Sequence, residues 1–122
     1  MVQLDTVHRL LAATYWGDRR PKDIMEHIIS SSICFSLFRG SEQIGFGRAV
    51  TDSATFTWVA DIVVEPECRG AGLGQWIMEC LIEHPAIKGT QMVLQTRDAH
   101  GLYKKFGFSG NSALMSTMTT DL

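Results

Sequence analysis

Residues 61–83 constrain the fold most, because the apolar pattern changes period within them. Ile62, Val63 and Val64 are β-branched and continuously apolar, the pattern of a buried strand. Pro66 has no N–H to give to a central ladder, so the strand stops there. Arg69, Gly70, Ala71, Gly72, Leu73 and Gly74 follow as a glycine-rich loop. From Leu73 onward, Leu73, Trp76, Ile77, Cys80 and Leu81 recur at helical spacing, and His84-Pro85 ends the run. Strand, loop and helix in this order predict a crossover unit inside a mixed α/β fold.

The loop is suited to an anion. A helix N-terminus leaves its first N–H groups unpaired and carries positive partial charge. Glycines there remove the Cβ atoms that would hold a ligand off the backbone. Arg69 adds a fixed charge able to hold a phosphate oxygen. Two common phosphate signatures are absent. No Lys-Ser/Thr follows Gly74, as a P-loop requires. The dinucleotide pattern Gly-x-Gly-x-x-Gly ends on Gln75 counted from Gly70, and on Ile77 counted from Gly72. What fits is Arg-x-x-Gly-x-Gly, at Arg69, Gly72 and Gly74.

At 122 residues the chain has the length of one domain. A net charge of −2 gives no global attraction to nucleic acid or acidic membranes, so any anion site is local. No apolar run reaches bilayer length, and Met1-Val2-Gln3-Leu4-Asp5 lacks the regions of a signal peptide. Cys34, Cys68 and Cys80 are odd in number and lack Cys-x-x-Cys spacing. They read as reduced thiols in a cytoplasmic protein, with no metal site; Cys34 and Cys80 lie in apolar runs and are expected in the core.

Along the chain, Asp5 is expected to cap a helix over residues 5–14. Pro21 opens a second helix with Ile24, His27 and Ile28 on its apolar side, and Ser30-Ser31-Ser32 breaks it. Ile33–Arg39 and Glu42–Thr51 form a hairpin around Gly40-Ser41, and residues 54–64 add a third antiparallel strand. After the central helix, residues 92–95 are expected to run parallel to residues 58–64. Asp98 caps a last helix over residues 99–106 and Gly107 stops it. Phe108 is expected to begin a strand, with residues 113–120 as a further candidate.

Two motifs now stand in order. Val-x-Pro-Glu-x-Arg-Gly with Arg-x-x-Gly-x-Gly comes first; Ala99, Leu102, Tyr103, Gly107 and Phe108 then fit Ala-x-x-Leu-Tyr-x-x-x-Gly-Phe. Together they resemble the GNAT superfamily of acetyl-CoA-dependent N-acetyltransferases, and the order of elements agrees over nearly the whole chain. Tyr15 to Pro21, with Thr-Arg-Asp-Ala-His-Gly-Leu-Tyr, is similar to one group of small bacterial members. Two departures stand out: only residues 1–4 are available for the strand that usually opens the fold, and Thr96 replaces a frequent Asn. Without the opening strand one sheet edge is left open, which invites a homodimer.

The resemblance implies a single N-acetyltransferase domain over residues 1–122: an antiparallel meander joined to a βαβ crossover whose parallel strands splay around the cofactor. It places acetyl-CoA against Ile62, Val63 and Val64, with its diphosphate on Arg69, Gly70, Ala71, Gly72, Leu73 and Gly74, and with Leu102 and Tyr103 nearby. A neutral amine of a small molecule or a protein attacks the thioester through a tetrahedral intermediate. Val64 N–H donates to the oxyanion. Tyr103 is the general acid, since a phenol of pKa about 10 can protonate a thiolate whose acid has pKa about 8.5. Glu65 and Asp61 are candidate proton acceptors for the amine. Trp16 and Arg20, with Asp61, are candidates for the acceptor side. Two other classes remain open: an acyl-CoA sensor without catalysis, and an interaction subunit that dimerises through its open edge.

Overall fold

The computed structural model describes residues 2–13, 20–96 and 99–117. The elements are α1 (Leu4–Ala12), α2 (Lys22–Ser30), β1 (Ile33–Arg39), β2 (Glu42–Thr51), β3 (Phe56–Val64), a 3₁₀ turn (Pro66–Cys68), α3 (Leu73–Glu83), β4 (Gln91–Val93) and α4 (His100–Lys104). The strands form one sheet in the order β1-β2-β3-β4. The first two pairings are antiparallel and β3 with β4 is parallel. This is the mixed α/β sheet expected from the sequence, a meander followed by a parallel crossover.

Helices cover both faces of the sheet. On one face α1 and α2 bury Val7, Leu10, Leu11 and Met25 against Phe46 and Val63. On the other, Met78 and Leu81 of α3 pack with Ile87 against Ala49 and Val59. Each fully buried side chain of this kind is worth roughly 1.5–3 kcal/mol, which fixes the two helical layers. The switch of face along β3 needs an extra residue. Val59 points to α3, so strict alternation would send Val63 there too. The β2–β3 register instead steps from Arg48↔Ala60 to Phe46↔Val63, leaving Asp61 and Ile62 opposite Gly47. That β-bulge turns Val63 toward α1 and α2. Asp61 absorbs the kink with φ of 58°, a left-handed conformation uncommon for a residue with a Cβ.

Gly47 is required where the bulge meets α3. A Cβ there would lie 2.5 Å from Ile62 Cδ1 and 3.1 Å from Ile77 Cγ2. The absent side chain lets α3 lie directly on the sheet.

Several boundaries differ from the sequence reading. Gln3 sits at the α1 N-cap and accepts the first helical bond from Val7 N–H at 3.0 Å, while Asp5 lies inside the helix and pairs with Lys22. In α2 the inward face is Met25 with half-buried Ile28 and Ile29; Ile24 and His27 are exposed, because the face is set one residue later than expected. In α3, Ile77, Met78 and Leu81 face the sheet, and Trp76 is 52% exposed. Cys80 is exposed for the same reason, correcting its expected place in the core. α4 is shorter than residues 99–106; Asp98, its expected cap, lies outside the described residues, and Thr96 Oγ1 accepts the Ala99 N–H at 3.1 Å. Gly107 adopts φ of 91° beyond the helix, as expected of its stop. Phe108 begins no strand: it packs edge-on to Tyr103, with ring centroids 6.0 Å apart. Residues 113–117 are exposed and form no strand, since they have no apolar face buried to hold a register; residues 118–120 lie outside the described residues.

Candidate active site

β3 and β4 pair only through Phe56, Thr57 and Trp58 with Gln91, Met92 and Val93. The sequence places residues 92–95 beside residues 58–64; the strand is instead Gln91–Val93, and its partners lie at the start of β3. Pairing stops at Trp58 and Val93, and the bulge at Asp61 follows further along β3. A cavity of about 590 Å³ opens beside the end of β3. It is walled by Ile62, Val63 and Val64, by the glycine loop, and by Leu102 and Tyr103 of α4. Every residue expected to hold the cofactor lines it except Ala71, which is exposed on the loop.

The backbone of β3 turns one donor away from the sheet beside this cavity. Glu65 N–H donates to Ile44 C=O at 2.7 Å, so Ile44 and Glu65 form a hydrogen-bonded pair. Antiparallel pairs alternate, which makes Gly45 and Val64 a non-hydrogen-bonded pair and turns Val64 N–H away from β2. Val64 C=O accepts from Arg69 Nε at 3.1 Å. That bond ties the end of the strand to the start of the loop and fixes the Arg69 guanidinium at the cavity wall.

The glycine loop leads directly into α3. Gly72 is the N-cap, with φ of 77°, and its C=O accepts from Trp76 N–H at 3.0 Å. No side chain caps the first N–H groups of α3. Gly74 has an ordinary helical position, yet a Cβ there would meet no atom within 4 Å. Internal packing therefore does not demand glycine at Gly74. The uncapped helix N-terminus leaves room for a phosphate there, so the loop fits a diphosphate.

Tyr103 is half-buried and borders this cavity. It also borders a second one of about 920 Å³ on the far side of β4, with Phe56, Phe108 and Leu114 among its walls. Glu65 is bound by Arg9 through two hydrogen bonds, Nη1 to Oε1 at 3.2 Å and Nη2 to Oε2 at 2.9 Å. The Arg9 guanidinium holds its carboxyl below the usual carboxylate range. Asp61 is similarly engaged: Oδ2 accepts from Arg48 Nε, and Oδ1 accepts from Arg20 Nη2 at 3.0 Å. His8 Nε2 lies 2.9 Å from Arg20 C=O. Trp16 lies outside the described residues, and His100 is exposed.

Arg9, Arg48 and Gly47 escaped the sequence reading. Arginines carry no motif of their own, and their carboxylate partners are distant in sequence. The spacing Gly45-Phe46-Gly47 did hold a signal, because two glycines on one face of a strand mark a close approach. Among the described residues no group of His, Cys, Asp and Glu could hold a metal ion.

Comparison with known proteins agrees with this site. Residues 30–110 match the family model of the acetyltransferase (GNAT) domain. A structure described as an acetyltransferase of the GNAT family, from Xanthomonas campestris pv. campestris, superposes with a TM-score of 0.91. It is 33% identical over 99% of this chain and 89% of its own. A protein of Gibberella zeae, described as an acetyltransferase, is 29% identical over 86% of this chain and 72% of its length. An N-acetyltransferase of Pyropia yezoensis is 29% identical over 88% of this chain, which spans only 65% of that relative. With its bulged strand, bare glycine loop and half-buried tyrosine, the chain belongs to the GNAT family of acetyl-CoA-dependent acetyltransferases.

Proposed function

We propose that the chain is one N-acetyltransferase domain that moves the acetyl group of acetyl-CoA to a primary amine of a small molecule or a protein. The observation that supports this most is the cavity between the end of β3 and α4, where loop, strand edge and Tyr103 meet. Acetyl-CoA supplies the activated acetyl group. Residues of the loop from Arg69 to Gly74 hold its diphosphate, and the edge of β3 at Ile62, Val63 and Val64 pairs with its amide-bearing arm as a strand would. Val64 N–H, turned away from β2, is the donor at the reacting carbonyl oxygen. The Tyr103 hydroxyl gives its proton to the departing sulfur as the C–S bond breaks, and the proton shed by the acylated nitrogen restores the phenol.

The amine reaches this site neutral. Glu65 is a poor proton acceptor for it, because the Arg9 pair lowers the basicity of the carboxylate. Arg20 stands with Trp16 in the segment proposed to cover the acceptor. The three free cysteines support a reducing, cytoplasmic setting, and among the described residues no helix is long and apolar enough to cross a membrane. Among the described residues β1 is an edge of the sheet, which favours a homodimer formed through it; sedimentation tests that directly.

Release of free thiol from acetyl-CoA, followed across a panel of amines, tests the transfer. Amine-dependent release that falls at least about a hundredfold in Tyr103→Phe is expected. Tight acetyl-CoA binding without release on any amine would favour the sensor.

A further inference from the structure

We propose that the Arg48–Asp61 pair is a latch that positions the coenzyme-binding edge of β3, making both positioning residues for the acetyl transfer. The inference rests on the proposed function and adds a role for two side chains away from the cavity.

Asp61 is the extra residue of the bulge, and its side chain is 8% exposed. Its left-handed backbone is unfavourable for a residue bearing a Cβ, so something must hold it. Arg48 is placed to do so. It lies on β2 opposite Ala60, one residue before the kink, and its Nε donates to Asp61 Oδ2. Arg48 is itself anchored, since Nη1 donates to Ser32 Oγ at 3.1 Å, and its side chain is only 12% exposed. Arg20 reaches the other carboxylate oxygen from the far side. The kink is thus gripped from β2 and from the chain just ahead of α2.

The charge also works against the competing register. Without the bulge, Asp61 would share the face of Val59 and turn toward Met78 and Leu81. Burying an unpaired carboxylate among those side chains is costly. The latch therefore favours the bulged strand and disfavours the straight one. Only the bulged strand brings Ile62 and Val64 to their places on the cavity wall. The glycine loop lies beyond this segment and is tied to it by the bond from Arg69 to Val64.

Two ligands separate the latch from a general effect on folding. Acetyl-CoA uses both strand edge and loop; adenosine 3′-phosphate 5′-diphosphate, its nucleotide half, uses the loop alone. Binding of each is followed by calorimetry and by the backbone amide signals of Gly72 and Gly74. In Asp61→Ala and Arg48→Met, acetyl-CoA affinity is expected to fall about tenfold, while the nucleotide half binds within about twofold of wild type. Asp61→Gly accepts the left-handed backbone without strain and is expected to lose only about threefold. Equal losses for both ligands would overturn the latch, as would unchanged acetyl-CoA affinity in Asp61→Ala. A wild-type protein that binds neither ligand would instead remove the transferase reading and the latch with it. Loss of amine turnover in Asp61→Gly at full acetyl-CoA affinity would reassign Asp61 to the acceptor.

Discussion

Gly47→Ala probes the contact on which the site is built. The new Cβ would sit 2.5 Å from Ile62 Cδ1 and 3.1 Å from Ile77 Cγ2. Carbon atoms pack at about 3.5–4.0 Å, so the Ile62 methyl must move by about 1 Å or more. Ile62 can rotate that terminal methyl, but Ile77 is buried and its Cγ2 sits on a branched carbon that cannot turn alone. Overpacking of this kind costs about 2 kcal/mol, or a fall in Tm of about 8 °C for a domain of this size. Relief comes from Ile62→Val, which deletes Cδ1 and leaves Cγ1 at an ordinary 3.8 Å. Alone, that change costs about 1 kcal/mol. Combined with Gly47→Ala it should recover about 1 kcal/mol of the sum, a favourable coupling measured by urea unfolding of all four proteins. The residual loss belongs to Ile77. Since α3 begins at the glycine loop, Gly47→Ala should also weaken acetyl-CoA binding. Additive costs, or a Gly47→Ala protein as stable as wild type, would show that α3 does not rest on bare backbone there.

Other consequences follow from single contacts. Gly74→Ala meets no protein atom and improves helix propensity, so Tm should hold or rise slightly while acetyl-CoA affinity falls at least about tenfold; calorimetry reads both. Gln43 is fully buried, with its amide bonded to Gln3 N–H at 2.7 Å, Ser36 Oγ at 3.1 Å and Gly45 C=O at 3.1 Å. Gln43→Leu strands those groups and should cost about 2–4 kcal/mol in denaturant unfolding. Arg9→Gln removes the partner of Glu65, whose carboxyl is held below its ordinary value of 4.5. A group with a depressed folded pKa contributes stability above its unfolded pKa and loses it as pH falls through the folded one. The Tm difference between wild type and Arg9→Gln should therefore be full at neutral pH and close as the pH drops below the ordinary glutamate range.

The sequence carried the parts whose signal is local. Ile33–Arg39 and Glu42–Thr51 were readable because Gly40-Ser41 punctuates two β-rich runs, and Leu73–Glu83 because its apolar period is long. The glycine loop was readable because backbone chemistry at a helix start depends on a few adjacent residues. What was hidden depends on contacts between distant segments. Nothing in Asp-Ile-Val-Val shows that Asp61 takes a left-handed turn; that follows from Arg48 and Gly47 on the neighbouring strand. The outward face of Trp76 was equally illegible, since Gly45 and Gly47 on β2 decide which arc of α3 meets the sheet. Glu65 reads from the sequence as a candidate proton acceptor; the pairing that lowers its basicity comes from Arg9 on α1, 56 residues away.

A crystal structure of the complex with acetyl-CoA would place the coenzyme directly. The diphosphate is expected within hydrogen-bonding distance of the N–H groups at the start of α3, with the acyl arm along Ile62, Val63 and Val64 and the thioester sulfur beside Tyr103. A coenzyme lying instead in the larger cavity beyond β4, against Phe56 and Leu114 with the glycine loop bare, would contradict the assignment of this site.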